Sequence, residues 1–446
     1  MKKAIKIPPA GPAKAAKQAD SLRRCEHALE LLLTQRGDPS AEIERVLAED
    51  PQCVLGHCLR AALVVRRDDA AARSNLAASV LAIEAACPDI NDPARHHAEA
   101  ARAWLDGAPA LAVERYGAIL IDRPCDILAL AVAHALDFRL GRRRMLRDRI
   151  AQVLPHWGAG MPGYASVLAM YAFGLEENGQ YRRAERTARR ALAFDPRHAG
   201  AIHVVSHVME MEGRAREGLA FLAATEPGWA DTGFFVHLAW HRALFYLDAN
   251  NPEAALVTYD TQIAKPGASD ISALAYASAL LWRLQLRNLE VSGRWRRLAD
   301  QWEMQTVTGA RPFYLVHAMM AFAAAGRTGA AARLRETLPR IQNDLSSSPA
   351  EDELVLPFCE ALLAFARSDH AACVEWLVRV RHIAHHCGGS LAQCDLIHLT
   401  ITEAALRARR TRLARALVAE RTAQKPTSRL NRLLEQRVGM IVPANA

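Results

Sequence analysis

Two pairs of histidines in the middle of the chain have the spacing at which helical side chains share one face. His203 and His207 are four residues apart, and Glu210 follows three residues later. His237 and His241 repeat the four-residue spacing. At 3.6 residues per turn, these positions lie on one side of a helix, and their nitrogens and carboxylate are ligands that first-row metals accept. Neither pair has the sequence H-E-x-x-H, so the zinc-protease motif is absent.

Three interpretations of these five residues are open from the sequence. They form a metal site that holds zinc, iron or copper, with or without catalysis. Alternatively, they line a groove as hydrogen-bonding contacts for a small molecule or a peptide, or they only pack helices together. The chain has 17 histidines, so some four-residue pairs arise by chance. Whether the protein is an enzyme therefore stays open.

Other polar and aromatic residues are expected on the same helix surface and are further candidates for ligand contact. They are Trp240, His317, Tyr171, His134 and Asp137. A single histidine in an apolar helix more often pairs with a backbone or carboxylate group, and aromatics at helical spacing more often belong to a core. Glu176 and Glu177 could join the site, but they precede a turn, where exposure to solvent is the alternative.

An internal repeat indicates the helices that position these residues. The segment 171–196 has a turn glycine at 179, small residues at 184, 188 and 191, and a helix-ending proline at 196. This is the tetratricopeptide pattern of two antiparallel helices. Turn residues recur at intervals of 33 to 43 residues, at Gly107, Gly141, Gly179, Gly213, Asn250-Asn251, Gly293, Gly326, Ser368-Asp369 and Arg409.

The repeat predicts an all-α fold, a right-handed α-α superhelix or TPR-like solenoid of antiparallel helix pairs. Such pairs stack because none buries its apolar face alone. The first helices of successive pairs line the concave side about 10 Å apart, which would bring both histidine pairs into one groove. We expect a disordered basic arm at 1–20, repeats with the histidine site at 21–264, a loop at 264–270, and degenerate repeats at 271–435.

Composition and charge restrict the partners. The formal charge is +8, from 56 basic and 48 acidic residues, and the arginine clusters lack interleaved stacking aromatics, so nucleic acid is not expected. There is no run of about 18 uncharged apolar residues and no apolar signal segment, which predicts neither membrane insertion nor secretion. Nine cysteines without a C-x-x-C motif predict reduced thiols and a cytoplasmic location. The oligomeric state is not predicted.

Five stretches of the chain carry a family resemblance. They are PCDILALAVAHALDFRLG, GYASVLAMYAFGLEENGQYRRAE, AIHVVSHVMEMEGR, EPGWADTGFFVHLAWHRALFYLD and FYLVHAMMAFAAAGR. With them the chain resembles the tetratricopeptide repeat protein 38 family, except that Asn250-Asn251-Pro252 and Arg409 replace the usual turn residues. The resemblance implies a helical-repeat fold without an established reaction. It also marks as motif positions His203, His207, Glu210, His237, Trp240, His241 and His317.

The function predicted from the sequence is that of a repeat protein with a concave central groove. The groove would bind a peptide or a small molecule through His203, His207, Glu210, His237 and His241. The alternative is a metal-dependent enzyme that uses the same cluster as its metal site.

Overall fold

The regular structure of the chain is helical. The computed structural model describes residues 12–67, 72–264, 270–305, 311–341 and 349–441. These ranges contain no β-strand, which confirms the all-α prediction. Within them, none of the helices combines the length and the apolar composition that crossing a bilayer requires.

Twenty-three α-helices follow one another along the described part of the chain. The first eight are α1 (Pro12–Thr34), α2 (Pro39–Glu49), α3 (Val54–Arg67), α4 (Arg73–Ala86), α5 (Pro93–Leu105), α6 (Pro109–Asp122), α7 (Ile127–Arg139) and α8 (Arg143–Val153). The next eight are α9 (Tyr164–Glu176), α10 (Tyr181–Phe194), α11 (Ala199–Met211), α12 (Ala215–Ala224), α13 (Phe235–Asp248), α14 (Pro252–Thr258), α15 (Ile271–Leu286) and α16 (Ser292–Glu303). The last seven are α17 (Pro312–Ala324), α18 (Thr328–Ile341), α19 (Pro349–Ala366), α20 (His370–Val380), α21 (Leu391–Arg407), α22 (Thr411–Gln424) and α23 (Arg429–Ile441).

The chain divides into two compact units at a different place from the predicted one. The first unit is Met1–Asp137 with Asp148–Val167, and the second is Phe138–Arg147 with Leu168–Ala446. The predicted boundary at 264–270 falls inside the second unit, and its residues 265–269 lie outside the described part of the chain. The reason is that a single apolar core of the second unit continues from Ala239 to Val438 across that position.

The predicted disordered arm at 1–20 overlaps with helix α1. Residues 1–11 lie outside the described part of the chain, but 12–20 form the first turns of the helix. Further along α1, Cys25, Ala28 and Leu32 are buried at helical spacing, so the helix has an apolar face to pack. A proline at its first position is compatible with a helix start.

Within a repeat, the first helix is buried on most sides and the second helix on one side. In α11, 11 of 13 residues are buried, whereas α10 buries only Ala184, Ala188 and Ala191. The arginines of α10 therefore face away from the core, as predicted for an outer helix. The inner helices α11, α13, α15, α17 and α19 pack on one another in order. This arrangement places the helices that carry the two histidine pairs side by side.

Eight of the nine predicted turns contain a residue with left-handed backbone. These residues are Gly107, Gly141, Gly179, Gly213, Asn250, Gly326, Ser368 and Arg409. Asn250 can replace glycine because asparagine tolerates positive φ better than most residues. The next helix starts cleanly, since Asn251 caps it by accepting a hydrogen bond from the Ala254 N–H at 3.1 Å and Pro252 occupies its first position.

The predicted turn at Gly293 is wrong. Gly293 is the second residue of α16, and the left-handed residue of that turn is Asn288, with φ of 61°. Asn288 lies 38 residues after Asn250 and 38 residues before Gly326. The repeat is therefore more regular here than the glycine positions suggested, because an asparagine takes the role of the turn glycine.

The C-terminal helices of the second unit return to its central inner helices. Helix α21 packs against both α15 and α11. The Trp282 indole N–H donates to Thr400 Oγ at 3.0 Å, and Ser428 Oγ donates to the Asp248 carboxylate at 3.1 Å. Thr427 Oγ also donates to the Glu212 carbonyl. The groove expected along these inner helices is thus covered in part by α21 and the segment that follows α22.

Candidate metal centre

Two adjacent inner helices contribute the central side chains. Helix α11 carries His203, His207 and Glu210, and helix α13 carries His237 and His241. The two helices pack directly on each other. Because each histidine pair is spaced by about one helical turn, both pairs lie on the faces that the two helices turn toward each other.

The four imidazole rings meet in one place. One ring nitrogen from each of His203, His207, His237 and His241 lies within 4.8 Å of the other three. The Nε2 atom of His237 lies 2.8 Å from Nε2 of His203 and 3.2 Å from Nε2 of His241. Ring centroids of His207 and His241 are 4.5 Å apart. The structure therefore brings together the two pairs that the repeat placed on neighbouring helices.

Two carboxylates hold the outer nitrogens of two of these rings. Nδ1 of His241 lies 2.8 Å from a Glu210 carboxylate oxygen, and Nδ1 of His207 lies 3.3 Å from a Glu176 carboxylate oxygen. An ionised carboxylate only accepts hydrogen bonds, so Glu210 favours the tautomer of His241 with the proton on Nδ1. Glu176 does the same for His207 when it is ionised. In that tautomer Nε2 carries the lone pair. Carboxylates arranged in this way orient many metal-bound histidines.

Burial keeps the four imidazoles neutral. His207 and His241 have no exposed surface, and His203 and His237 are each 8% exposed. Burial, together with the neighbouring imidazoles, lowers the pKa of His203, His237 and His241 well below the ordinary value, and burial also lowers the pKa of His207. Neutral imidazoles keep the lone pairs with which histidine binds a metal.

Polar atoms at the centre lack hydrogen-bond partners. In the described part of the chain, these buried atoms include Nε2 of His207, Nδ1 of His237 and Oε1 of Glu176. A buried polar atom without a partner costs about 1–3 kcal/mol. The protein therefore leaves several buried polar atoms of this centre without hydrogen bonds.

Glu176 and Glu177 are buried, although the turn after them allowed full exposure. Burial and the Glu210 carboxylate raise the pKa of Glu176 to about 8, and burial and Glu176 raise the pKa of Glu177 to about 8. Glu177 accepts a hydrogen bond from the Leu391 N–H at 3.2 Å and lies 3.3 Å from Nε of Arg143. A cation nearby would favour the ionised form of both carboxyls. With His207 they make a second group of possible metal donors.

Aromatic rings surround the histidines. They are Trp240, Tyr276, Phe173 and Phe234. The indole of Trp240 stacks on His237 with ring centroids 5.7 Å apart and an interplanar angle of 15°. Phe173 and Tyr276 come from α9 and α15, outside the two helices that carry the histidine pairs. These rings keep the centre apolar, which strengthens electrostatic interactions inside it.

Two predicted site residues of the second unit have partners elsewhere. The Tyr171 hydroxyl accepts a hydrogen bond from Arg183 at 3.2 Å. Nδ1 of His317 lies 2.6 Å from the Phe313 carbonyl on its own helix, and His317 is not among the grouped metal donors of the described residues. Helix α17, which carries His317, is two inner helices beyond α13. That Tyr171 and His317 contact a ligand stays a prediction.

His134 and Asp137 belong to the first compact unit. Asp137 is buried and its carboxylate forms an ion pair with Arg149 at 2.7 Å. Burial lowers the pKa of His134 to about 3. Both residues thus serve the interior of that unit, whereas the four-histidine centre consists of residues of the second unit.

The comparisons with known proteins add little to this geometry. No protein-family model matches the chain. Antiparallel helix pairs that recur with left-handed turns identify the fold. The protein is a TPR-like helical repeat. Among solved structures, one described as "Structure of Naa15/Naa10 bound to HypK-THB" is 10% identical, covers 96% of this chain and 69% of that chain, and has a TM-score of 0.27. A TM-score this low carries no argument about fold, partner or activity.

Proposed function

We propose that this TPR-like repeat protein is a metalloprotein that holds one first-row transition-metal ion between its inner helices. The ligands are the Nε2 atoms of His203, His207, His237 and His241. The observation that carries the proposal is the convergence of four buried, neutral imidazoles, two of them held from behind by carboxylates. Glu176 and Glu210 orient the ligands and compensate the charge of the ion.

Helix packing alone explains the cluster less well. Each neutral imidazole has one donor and one acceptor nitrogen. Nε2 of His237 faces two other Nε2 atoms and has only one hydrogen or one lone pair to share between them. Nε2 of His207 has no hydrogen-bond partner in the described structure. A metal ion would satisfy these inward nitrogens at once.

The donor atoms restrict the kind of metal. Imidazole suits zinc, copper, iron and nickel, whereas calcium and magnesium take oxygen ligands. Four imidazoles complete the shell of tetrahedral zinc, as at structural sites. A six-coordinate iron or copper ion would keep two further positions for reaction. The identity of the bound ion therefore decides between a structural metal and a catalytic centre.

The experiment is metal analysis of tag-free protein. We expect about one metal ion per chain in the wild type, bound at the four imidazoles. His237→Gln and His241→Gln should each abolish retention of the ion during dialysis. His317→Gln is the matched control, since it changes a buried histidine outside the centre and should keep the ion.

Two results would contradict the proposal. One is folded His237→Gln and His241→Gln protein with the same metal content as the wild type. The other is wild-type protein that is metal-free as purified and takes up no zinc, iron(II) or copper when it is refolded from urea in their presence. Circular dichroism of each variant shows whether the fold is intact.

For the predicted ligand-binding groove we propose a narrower occupant than the sequence allowed. A peptide laid along these histidines is disfavoured, because the four imidazoles are buried and α21 covers neighbouring inner-helix surface. The occupant that we propose is a small molecule.

Two other predictions from the sequence stay proposals. We propose that the chain belongs with the tetratricopeptide repeat protein 38 family, supported by the central H-x-x-x-H and H-x-x-W-H runs. We also propose a cytoplasmic location, supported by nine cysteines that are all free thiols.

A further inference from the structure

A cavity of about 90 Å³ lies in the second unit between the central inner helices and the C-terminal helices. Residues of α11, α13, α15, α21, α22 and α23 line it. Glu210 is one of them, so the carboxylate that contacts His241 also borders the cavity. By comparison, a cavity of about 150 Å³ holds benzene, which has six non-hydrogen atoms. The cavity can therefore hold a molecule of about four non-hydrogen atoms.

Positive side chains outnumber negative ones around the cavity. Five cationic side chains and four carboxylates line it. The cations are Arg283, Arg287, Arg421, Lys425 and Arg437, and the carboxylates are Glu210, Asp248, Asp395 and Glu403. One positive charge is left over when all are ionised, so an empty cavity is not neutral.

Three of the cations already have carboxylate partners. Arg421 pairs with Asp395 at 2.5 Å and Arg437 with Glu403 at 2.7 Å. Lys425 lies 3.6 Å from the second oxygen of Glu210. The Asp248 carboxylate accepts hydrogen bonds from neutral donors of the following segment, Ser428 Oγ and the Leu430 N–H. The unpaired positive charge therefore lies on Arg283 in α15 and on Arg287, the residue that follows this helix.

Arg283 and Arg287 lie one helical turn apart and are not in ion pairs with any described carboxylate. Arg283 is 5% exposed and donates to the carbonyls of Ala279 and Ala392, both at 3.0 Å. Arg287 donates to the Leu247 carbonyl at 2.7 Å. Each guanidinium has five N–H groups, so these bonds leave donors free for a ligand.

Arg283 is buried and Arg287 is half-buried. Burial lowers the pKa of Arg287 to about 10 and also lowers the pKa of Arg283, while Asp395 and Glu210 act on Arg283, and Asp248 on Arg287, in the opposite direction. These carboxylates are not in direct ion pairs with the two arginines, so a bound anion would add the closer counter-charge that each guanidinium lacks. Trp240 contributes a cation–π contact to Arg283, with the guanidinium carbon 5.2 Å from the ring centroid.

The other walls of the cavity are apolar. Leu244, Leu286, Leu399 and Leu434 are among the lining residues. A pair of guanidinium groups beside leucine side chains suits a ligand with an anionic head and a short hydrocarbon part. The single excess charge suits a monoanion better than a dianion.

We propose that this cavity binds a short-chain organic carboxylate, with its carboxyl group on Arg283 and Arg287 and its hydrocarbon part against the leucines. The site borders the histidine centre through Glu210 but does not require a metal there. Acetate, with four non-hydrogen atoms, is a ligand of suitable size for the cavity.

Isothermal titration of the full chain with acetate tests the site. We expect saturable binding at one site per chain, and no binding of ethanol, which has the same number of carbon atoms without the charge. Arg287→Gln should weaken acetate binding by about tenfold or more, because it removes a charge-assisted contact. Arg294→Gln is the matched control, since Arg294 is in a surface ion pair with Asp260 outside the cavity, and its affinity should equal that of the wild type.

Arg283→Gln is a second variant, which should also weaken binding if its thermal unfolding shows an intact fold. Equal acetate affinity in wild-type and Arg287→Gln protein would overturn the proposal, as would binding of ethanol. Inorganic phosphate that binds more tightly than acetate would overturn the assignment of a carboxylate with a hydrocarbon part. Acetate binding that persists in His237→Gln protein supports this site independently of the metal proposal.

Discussion

Carboxylates decide which nitrogen of two imidazoles faces the other histidines. Glu210 accepts the hydrogen bond of Nδ1 of His241, which leaves the lone pair of that ring on its inward Nε2, and Glu176 has the same effect on His207 in its ionised form. This detail could be predicted only in part. The spacing of Glu210 after His207 placed it on the right face, but its partner is a histidine of the next repeat. Glu176 gave no local signal of burial, because it precedes a turn.

Loss of the Glu210 charge should weaken metal binding at the four histidines without removing a ligand. In Glu210→Gln protein the hydrogen bond to His241 persists in a weaker form, and the negative charge near the ion is lost. We expect metal affinity to fall by roughly 10–100-fold, measured by competition with a chelator. Glu212→Gln, which changes a carboxylate that pairs with Arg214, should leave affinity unchanged. Equal affinity of both variants would show that Glu210 does not support the ligands.

At the scale of the helices, the turn residues determine how the repeats stack. Eight of nine turns were predictable from the sequence, most of them from glycine, asparagine and serine positions, because left-handed backbone restricts residue type. The ninth was missed because Asn288 gives no stronger signal than the glycine five residues later. Burial of the inner helices was predictable too, since it follows from the repeat pattern.

Gly213 has a second role that Gly179, the turn glycine of the preceding repeat, lacks. It has φ of 68°, and a Cβ atom there would lie 2.6 Å from Thr427 Oγ and 2.9 Å from the Ser428 nitrogen. Gly179 has φ of 72° and no atom within 4 Å of such a Cβ. The C-terminal segment therefore passes close to the turn at Gly213, where only a glycine leaves room for it.

Gly213→Ala should thus be more damaging than Gly179→Ala. The backbone conformation alone costs about 1–2 kcal/mol for alanine in either position, and the contact with Thr427 and Ser428 adds to it only at 213. We expect a lower urea midpoint for Gly213→Ala and faster proteolysis within residues 425–441. Equal midpoints and equal cleavage in the two variants would mean that the C-terminal segment does not pack on this turn.

At the scale of the second unit, contacts between residues far apart in sequence complete the centre and the cavity. Glu177 meets Leu391 across 214 residues, and Arg283 meets Ala392 across 109 residues. A repeat period predicts neighbours along the array, but it gives no information about a later helix that folds back. The cover over the groove, the buried glutamates and the arginine-lined cavity were therefore beyond reach of the sequence.

Buried neutral histidines should make this unit sensitive to acid. Burial lowers the pKa of His317 to about 4, against an ordinary value of 6.5. The unfolded chain binds a proton at this residue below pH 6.5, while the folded chain does so only near pH 4. The free energy of unfolding therefore falls as pH drops through this window. Proton binding at His317 alone lowers the free energy of unfolding by about 2 kcal/mol between pH 7.5 and pH 5.

Urea unfolding at both pH values measures this contribution. Of the seven tryptophans that are buried in the described part of the chain, five (229, 240, 282, 295 and 302) lie in the second unit, so most of the fluorescence change reports on its unfolding. His317→Gln should lose about 2 kcal/mol less stability than the wild type between pH 7.5 and pH 5. His27→Gln, a change at an exposed histidine, should match the wild type. The same loss in all three proteins would refute a depressed pKa at His317.

The return of the C-terminal segment also has a consequence for timing on the ribosome. Asp248 is synthesised 180 residues before Ser428, its partner in the cover. At about 5–20 residues per second, α11 and α13 emerge roughly 9–36 s before the helices that close over them. During that interval the imidazoles are open to solvent, so the proposed ion has a direct route of entry that the finished chain no longer offers.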